Sequence, residues 1–221
     1  MATSSSIPFA TSVLGEQRHV CALFRTPEEE YQTLLPFIRD GIEHGDRVVC
    51  IVPRARNDFL DRLRAADIDV DEAVSGHQLE VVSTEGTYTP DGHFDAERML
   101  AHLVEGLLKG RSLGFPVTRL IGHPESALRR FDDRRAFLEY EARLNFELPC
   151  LEDTVICTYD LNQVSAGIAF EVLRTHPMAV IGGVLHENPF YVSPDVFLEE
   201  HRARNKAHDD HRSERKRSSA A

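Results

Sequence analysis

Apolar residues along this chain come in short continuous runs, separated by amphipathic stretches of helical period. Runs without polar alternation are typical of strands buried on both faces of a parallel sheet. They predict strands at His19–Phe24, Arg47–Val52, Leu79–Ser83, Val117–Gly122, Thr154–Tyr159 and Met178–Leu185. Because strands alternate with helical segments, the pattern predicts an α/β fold, with a mostly parallel sheet flanked by helices.

Helices are predicted in the intervals between these runs. At the first one, Thr26 is a suitable N-cap, Pro27 suits the first helical position, and Glu29 has the spacing of a capping box. Gly45 is expected to end that helix. The predicted helices span about Pro27–His44, Asn57–Ala66, Asp95–Lys109, Asp133–Leu148 and Gln163–Arg174.

Composition at the two ends divides the chain into three parts. Residues 1–17 are rich in Ser and Thr, lack the pattern of a secretory signal, and are expected to form a disordered arm. Residues 18–198 contain the periodic segments and are expected to form one domain. Residues 199–221 are charged, poor in apolar side chains, and expected to be a disordered tail. No apolar run approaches the length of a membrane span, so a cytoplasmic protein without membrane contact is expected.

Charge and cysteine usage narrow the possible partners. The formal net charge is −11, and an acidic body repels phosphate backbones, so direct nucleic-acid binding by the folded domain is not expected. Cys21, Cys50 and Cys157 lie inside apolar runs, and no CxxC pair occurs. Buried free thiols are therefore the favoured interpretation of these cysteines.

Four separated blocks, in order, resemble one family. They are HVCALFRTPEEEYQTLLPFIRDGIEHGDRVVCIV from His19, GFPVTRLIG from Gly114, EYEARLN from Glu139 and CTYDLNQVSAGIAFEVLRTHPMAVIGGVLHENPFYVSP from Cys157. The chain is thereby similar to the MEDS family, the methanogen/methylotroph, DcmR-type sensory domain. This resemblance spans about residues 19–194 and implies a sensor module rather than a known enzyme.

The first strand–helix junction argues against nucleotide hydrolysis. A P-loop needs GxxxxGK[ST] there, whereas this chain has FRTPEEEY, with no glycine and no lysine. Glu28, Glu29 and Glu30 already complement the helix dipole and would repel a phosphate. By analogy of layout, the chain is expected to have a RecA-like three-layer architecture, similar to KaiC-type ATPases but without a P-loop.

Ligands of open parallel sheets bind outside the carboxyl ends of the strands, and this rule selects the candidate site. We expect Arg25, Tyr88, His123 and Asp160 to converge on one cavity there, with at least three of them sharing it. The full set of ligand-binding candidates is Arg25, Arg54, Glu85, Tyr88, His123, Glu125, Tyr159 and Asp160.

No metal site, cofactor or catalytic residue is predicted. No helical HxxxH or HxxEH pair occurs. His19 and His176 lie at the starts of predicted strands, at the opposite end of the sheet from the candidate site. Roles in capping or at the edge of the core are expected for both.

The favoured function is a non-catalytic sensory or signalling module in transcriptional or stress regulation. It would bind a small organic ligand or a regulatory protein partner. Two alternatives stay open at this point: a degenerate RecA-like protein-interaction module, and a hydrolase-type enzyme.

Overall fold

The computed structural model describes residues 6–53, 56–128 and 131–218, and its strands follow the apolar runs. The strands are β1 (Ile7–Phe9), β2 (Ser12–Leu14), β3 (His19–Phe24), β4 (Arg47–Val52), β5 (Leu79–Ser83), β6 (Thr118–Gly122), β7 (Thr154–Asp160), β8 (Met178–Ile181) and β9 (Val184–Glu187). The predicted bounds of β3, β4 and β5 are confirmed residue for residue, and those of β6 and β7 to within one residue.

The helices fill the intervals between the strands. They are α1 (Pro27–Glu43), α2 (Arg56–Ala65), α3 (Val70–Ser75), α4 (Thr84–Tyr88), α5 (Ala96–Ser112), α6 (Glu125–Leu128), α7 (Phe131–Glu147), α8 (Ala166–Thr175) and α9 (Pro194–Ser218), with a 3-10 turn at Leu148–Cys150. The Thr26 hydroxyl accepts from the Glu29 N–H, as the N-cap prediction requires, while the Glu29 carboxylate accepts from the Arg25 N–H.

Seven strands form one sheet in the order β5-β4-β6-β7-β3-β8-β9, and all neighbours are parallel except β8 and β9. Alternate residues of each strand face opposite layers. The layer that contains Cys21 and Cys157 packs under α5, α7, α8 and α9, whereas the layer that contains Val20 and Cys50 packs under α1, α2 and the β1–β2 hairpin. This arrangement confirms the three-layer α/β prediction.

The last predicted strand is interrupted. Met178–Leu185 divides into β8 and β9, which pair antiparallel around Gly182 and Gly183. Both glycines have positive φ, +60° and +76°, as a two-residue type I′ hairpin requires. The sheet therefore ends in an antiparallel edge strand, β9, whereas the continuous apolar run predicted a single strand.

Both predicted disordered ends contain regular structure. In the N-terminal arm, β1 and β2 form a hairpin that buries Ile7, Phe9 and Leu14, and Phe9 packs on Phe37 with ring centroids 4.8 Å apart. Three apolar side chains at alternating positions suffice to dock this short arm, although Ser and Thr dominate its composition.

In the C-terminal tail, α9 continues through Ser218 and packs on α7 and α8. His201 is buried, its Nε2 lies 2.9 Å from the Arg135 carbonyl, and its ring stacks on Phe197. Arg204 donates two hydrogen bonds to Glu171, at 2.7 and 3.1 Å. One buried histidine and charge pairing anchor a helix that its apolar-poor composition does not predict.

Buried charge holds the amino-terminal side of the sheet. The Arg119 Nε donates to Asp46 at 2.7 Å and its Nη1 donates to the Phe37 carbonyl at 3.0 Å. Arg119 is almost fully buried, so Asp46 supplies the countercharge that its guanidinium needs.

A second buried carboxylate belongs to Asp153, just before β7. It accepts from the Thr118 N–H at 2.6 Å and lies 3.4 Å from Arg111 Nη2. Burial raises the pKa of Asp153 to about 6, against the lowering effects of the Thr118 hydrogen bond and of the Arg111 and Arg18 charges, while Glu152 raises it slightly.

Candidate functional site

Four side chains converge in the core beneath α7. His19 begins β3, Cys157 lies in β7, His176 is the C-cap of α8, and Glu141 extends from α7. All four are at most 2% exposed. Their nearest donor atoms lie within 4.8 Å of one another. The parallel pairing of β7-β3-β8 places His19 and Cys157 on neighbouring strands with the end of α8 beside them, and α7 supplies the carboxylate.

The Glu141 carboxylate is the centre of this cluster. Its Oε2 lies 3.1 Å from His19 Nε2, 3.1 Å from His176 Nε2 and 3.7 Å from Cys157 Sγ. The other oxygen, Oε1, accepts from the Tyr159 hydroxyl at 3.4 Å. Both imidazoles and the thiol therefore face the same carboxylate oxygen.

Asn145 fixes the tautomer of His19. Its amide nitrogen donates to three carbonyls, of Glu141, Ala142 and Thr175, at 2.8 to 3.3 Å. The amide oxygen consequently faces His19 Nδ1, at 3.1 Å. His19 Nδ1 must carry the proton for this contact, so a neutral His19 directs its Nε2 lone pair at Glu141.

His176 is oriented in the same way by the end of α8. Its Nδ1 lies 2.8 Å from the Val172 carbonyl and 3.0 Å from Thr175 Oγ1, and that hydroxyl itself donates to Val172. Both groups near Nδ1 therefore accept from it. Its Nε2 is fully buried and makes no hydrogen bond of acceptable geometry, although Glu141 is near.

Burial and mutual charge set the protonation of the cluster. Burial alone would raise the pKa of Glu141, but the nearby charge of His176, together with the hydrogen bond and charge of His19, outweighs it and lowers the pKa to about 2. Burial, reinforced by His176, lowers the pKa of His19. Burial and Glu141 raise the pKa of the Cys157 thiol well above its ordinary value. An anionic carboxylate thus lies beside a His19 imidazole and a Cys157 thiol that both resist charging.

A separate cavity of about 690 Å³ runs between α5 and the β4–β5 side of the sheet. One end is charged: Arg47 pairs with Glu80, and Lys109 Nζ lies 3.5 Å from the same carboxylate. Ser83 and Thr87 lie at the other end. Its wall is mainly apolar and comprises Val49, Ile51, Val82, Met99, Leu103 and Leu120. A volume of this size accommodates a small organic molecule.

The four residues expected to share a cavity do not line this one. The exposed Arg25 lies 3.8 Å from Glu29, and Asp160 accepts from the Asn162 N–H at 2.8 Å in its own turn. Tyr88 is buried and its hydroxyl approaches Gly122. The cavity lies along a sheet face rather than at the carboxyl rim, because α5 leaves the surface of edge strand β5 partly uncovered.

His123 is engaged within the fold. Its Nδ1 lies 2.8 Å from the Ile51 carbonyl and its Nε2 lies 2.5 Å from Glu30. His123 therefore links α1 to β4 through its two ring nitrogens.

The remaining sequence candidates are dispersed. Glu85 is half-buried in α4, and Glu125 is the first residue of α6. Arg54 lies outside the described residues. Among the candidates whose side chains the structure describes, Tyr159 is the one that reaches the buried cluster, through its hydroxyl.

A family model, described as MEDS: MEthanogen/methylotroph, DcmR Sensory domain, matches residues 18–177. The chain belongs to the MEDS family. All four cluster residues lie inside the matched range. MEDS membership gives the chain a sensory or regulatory role.

Two further comparisons place this MEDS chain among known proteins. It is 26% identical over 165 residues to the transcriptional repressor DcmR of Methylorubrum extorquens, covering 72% of this chain and 57% of that protein. The chain thus spans little more than half of its relative. A KaiC-like protein from Pyrococcus horikoshii OT3 superposes with a TM-score of 0.52 at 19% identity, covering 78% of this chain and 71% of the other. That likeness shows the RecA-like fold.

Sequence reasoning assigned the cluster residues of this MEDS domain to other roles. His19 and His176 were expected to cap or edge the core, and Cys157 to be an inert buried thiol; the thiol is buried, as predicted. Glu141 was not singled out. A signal was nevertheless present, because each of the four lies inside a block that carries the family resemblance: HVCALF, EYEARLN, CTYD and RTHP.

No helix in the described part of the chain combines the length and apolarity that crossing a membrane requires.

Proposed function

We propose that this chain is a non-catalytic sensory module that binds a small, mainly apolar organic molecule in the cavity between β4, β5 and α5. The observation that carries the proposal is the cavity of about 690 Å³ with its apolar wall. A MEDS relative named as a transcriptional repressor supports regulation of transcription as the output. A cytoplasmic location, a regulatory protein partner and the absence of direct nucleic-acid binding belong to the same proposal.

The cavity walls define the chemistry of the ligand. Met99 and Leu103 of α5 face Ile51 and Leu120 of the sheet, so an apolar body of the ligand gains by leaving water. Lys109 is half-exposed and lies beside Glu80 at the cavity end. A ligand with one carboxylate or hydroxyl would place that group there, near the ammonium group.

Backbone-amide NMR of the full chain, titrated with octanoate and with 1-octanol, tests this proposal. We expect shifts at β4, β5 and α5, and tighter binding of octanoate because of Lys109. Val82→Phe fills the cavity from its half-buried wall position and should weaken binding at least about tenfold, which is about 1.4 kcal/mol. Val13→Phe adds the same volume at an exposed site of the hairpin and should not change binding.

Two results would contradict the proposal. Shifts that map to another face of the molecule would remove the cavity as the site. Equal affinities in Val82→Phe and Val13→Phe would show that the ligand does not occupy the volume beside Val82.

Protein recognition is a second candidate function, and one surface feature favours it. Phe170 of α8 and Phe190 after β9 are each half-exposed, with ring centroids 6.0 Å apart. Exposed paired aromatic rings are typical of interaction surfaces. Sedimentation velocity tests self-association as the simplest case: replacing both rings by Ser should abolish any concentration-dependent species, and an unchanged profile would argue against this surface.

A further inference from the structure

We propose that His19, Glu141, Cys157 and His176 form a closed, four-coordinate zinc site. No residue of this set lines the cavity described above, so the inference stands independently of the proposed ligand. The proposed function could fail and leave the zinc site intact, and the reverse also holds.

The separations between the donor atoms suit tetrahedral coordination. Ligands at about 2.0–2.3 Å from zinc lie about 3.3–3.6 Å apart around a tetrahedron. Glu141 Oε2 lies 3.1 Å from each imidazole Nε2 and 3.7 Å from Cys157 Sγ. Cys157 Sγ lies 3.9 Å from His19 Nε2, and no donor pair exceeds 4.8 Å. A contraction of at most about 1.2–1.5 Å in the longest pair completes the site.

The position of His176 Nε2 also points to a cation. This atom is fully buried, has Glu141 Oε2 at 3.1 Å as its polar neighbour, and makes no hydrogen bond of acceptable geometry; a buried polar atom of this kind costs free energy unless something binds it. The hydrogen bonds at both Nδ1 atoms orient the rings so that both Nε2 atoms face the carboxylate of Glu141. Three donor atoms therefore converge on one point, where a cation would be coordinated by all of them.

The hydrogen-bond acceptors of the two Nδ1–H groups also match those found for histidine ligands in metal sites. Histidine ligands usually donate their second ring N–H to a carbonyl or carboxylate, which fixes the ring. Here His19 donates to the Asn145 side-chain carbonyl and His176 donates to the Val172 backbone carbonyl. The rings are therefore already oriented for coordination through Nε2.

The donor types select zinc and balance its charge. Two imidazoles, one thiolate and one carboxylate are all zinc ligands. The two positive charges of the ion cancel the carboxylate and a Cys157 thiolate, so the filled site is neutral in a core that tolerates no net charge. A bound cation also favours ionisation of the thiol, which releases its proton to solvent on binding.

The completed site would be structural. Four protein ligands leave no open position for water or substrate, as catalytic zinc requires. The ion would join the adjacent strands β3 and β7 and the end of α8 to α7, the helix that covers them.

The test begins with the unmutated full chain, purified without chelator. Elemental analysis should find about one zinc per chain, and X-ray absorption should show one sulfur and three nitrogen or oxygen neighbours. Refolding with Co²⁺ should produce the sulfur-to-cobalt charge-transfer band and the visible bands of tetrahedral cobalt. Because these measurements use the wild-type chain, a variant that fails to fold does not prevent a decision.

Cys157→Ser should lower zinc affinity at least about a hundredfold and abolish the charge-transfer band. Cys50→Ser is the matched control: Cys50 is equally buried, on the opposite face of the sheet, and should leave both readouts unchanged. A wild-type chain that takes up no zinc on refolding would overturn the proposal, as would absorption spectra without a sulfur neighbour. Equal zinc affinity in Cys157→Ser and wild type would overturn it too.

Discussion

Removal of the C-terminal helix beyond Leu198 should destabilise the domain. The truncation keeps Phe197 and Leu198, which are buried in the core, but deletes His201 and everything after it. His201 contributes a hydrogen bond to the Arg135 carbonyl, worth about 1 kcal/mol net. Its buried ring and its stacking on Phe197 add about 2 kcal/mol. The ion pairs of α9 are solvent-screened and contribute little.

The expected loss is therefore about 3 kcal/mol, or about 6–12 °C in Tm for a chain of this size. Calorimetry and urea unfolding measure it. A truncation after His211 keeps His201 and the Arg204–Glu171 pair, and should unfold within about 0.5 kcal/mol of the full chain. If the truncation after Leu198 is as stable as the full chain, α9 does not dock, and composition alone describes the tail correctly.

Three further perturbations test the packing and charge of the sheet. Gly106→Ala should stabilise the folded protein by about 1 kcal/mol through helix propensity, since nothing lies near its Cβ position. Gly110→Ala in the same helix should destabilise the folded protein, because its Cβ meets the Thr118 hydroxyl. Equal effects of the two substitutions in urea titration would refute this packing. Arg119→Met should cost about 3–5 kcal/mol by leaving buried Asp46 without its countercharge, and a neutral result would show that this charge is solvated. The raised pKa of Asp153 means that the folded state holds its proton more tightly than the unfolded chain, so stability should fall by up to about 3 kcal/mol as pH rises from about 4 to about 6. Asp153→Asn should lack that slope, and parallel pH profiles of the two proteins would contradict the assignment.

The strands of the main sheet could be predicted because each is marked by its own local sequence. Continuous apolar runs bounded by caps and glycines located β3, β4 and β5 residue for residue. The Gly182–Gly183 hairpin was missed because the apolar run continues through it, and only the positive φ of both glycines reveals the reversal.

The structure of the two termini and the buried cluster could not be predicted from local sequence, because both depend on contacts between residues that are far apart in the chain. Leu14 and His201 each dock through contacts with distant elements, so their neighbours in sequence carry no sign of burial. The cluster around Glu141 requires the spatial order β7-β3-β8, and the sequence does not specify which strands become neighbours. The resemblance to MEDS domains includes all four cluster residues, but it does not show that residues of three separate blocks meet in the fold.

The position of β3 in the sheet has a consequence for how the chain folds. This strand is the first of the sheet to be synthesised, yet it pairs with β7 and β8, which are among the last. Strands β4, β5 and β6 pair with one another and can associate as soon as they emerge. His19 must wait for Cys157, 138 positions later. Closure of so long a loop slows folding and leaves the apolar β3 unpaired during synthesis. We therefore expect β3 to join the sheet late, once β7 has been synthesised, and to link β7 to the β8–β9 hairpin at the edge.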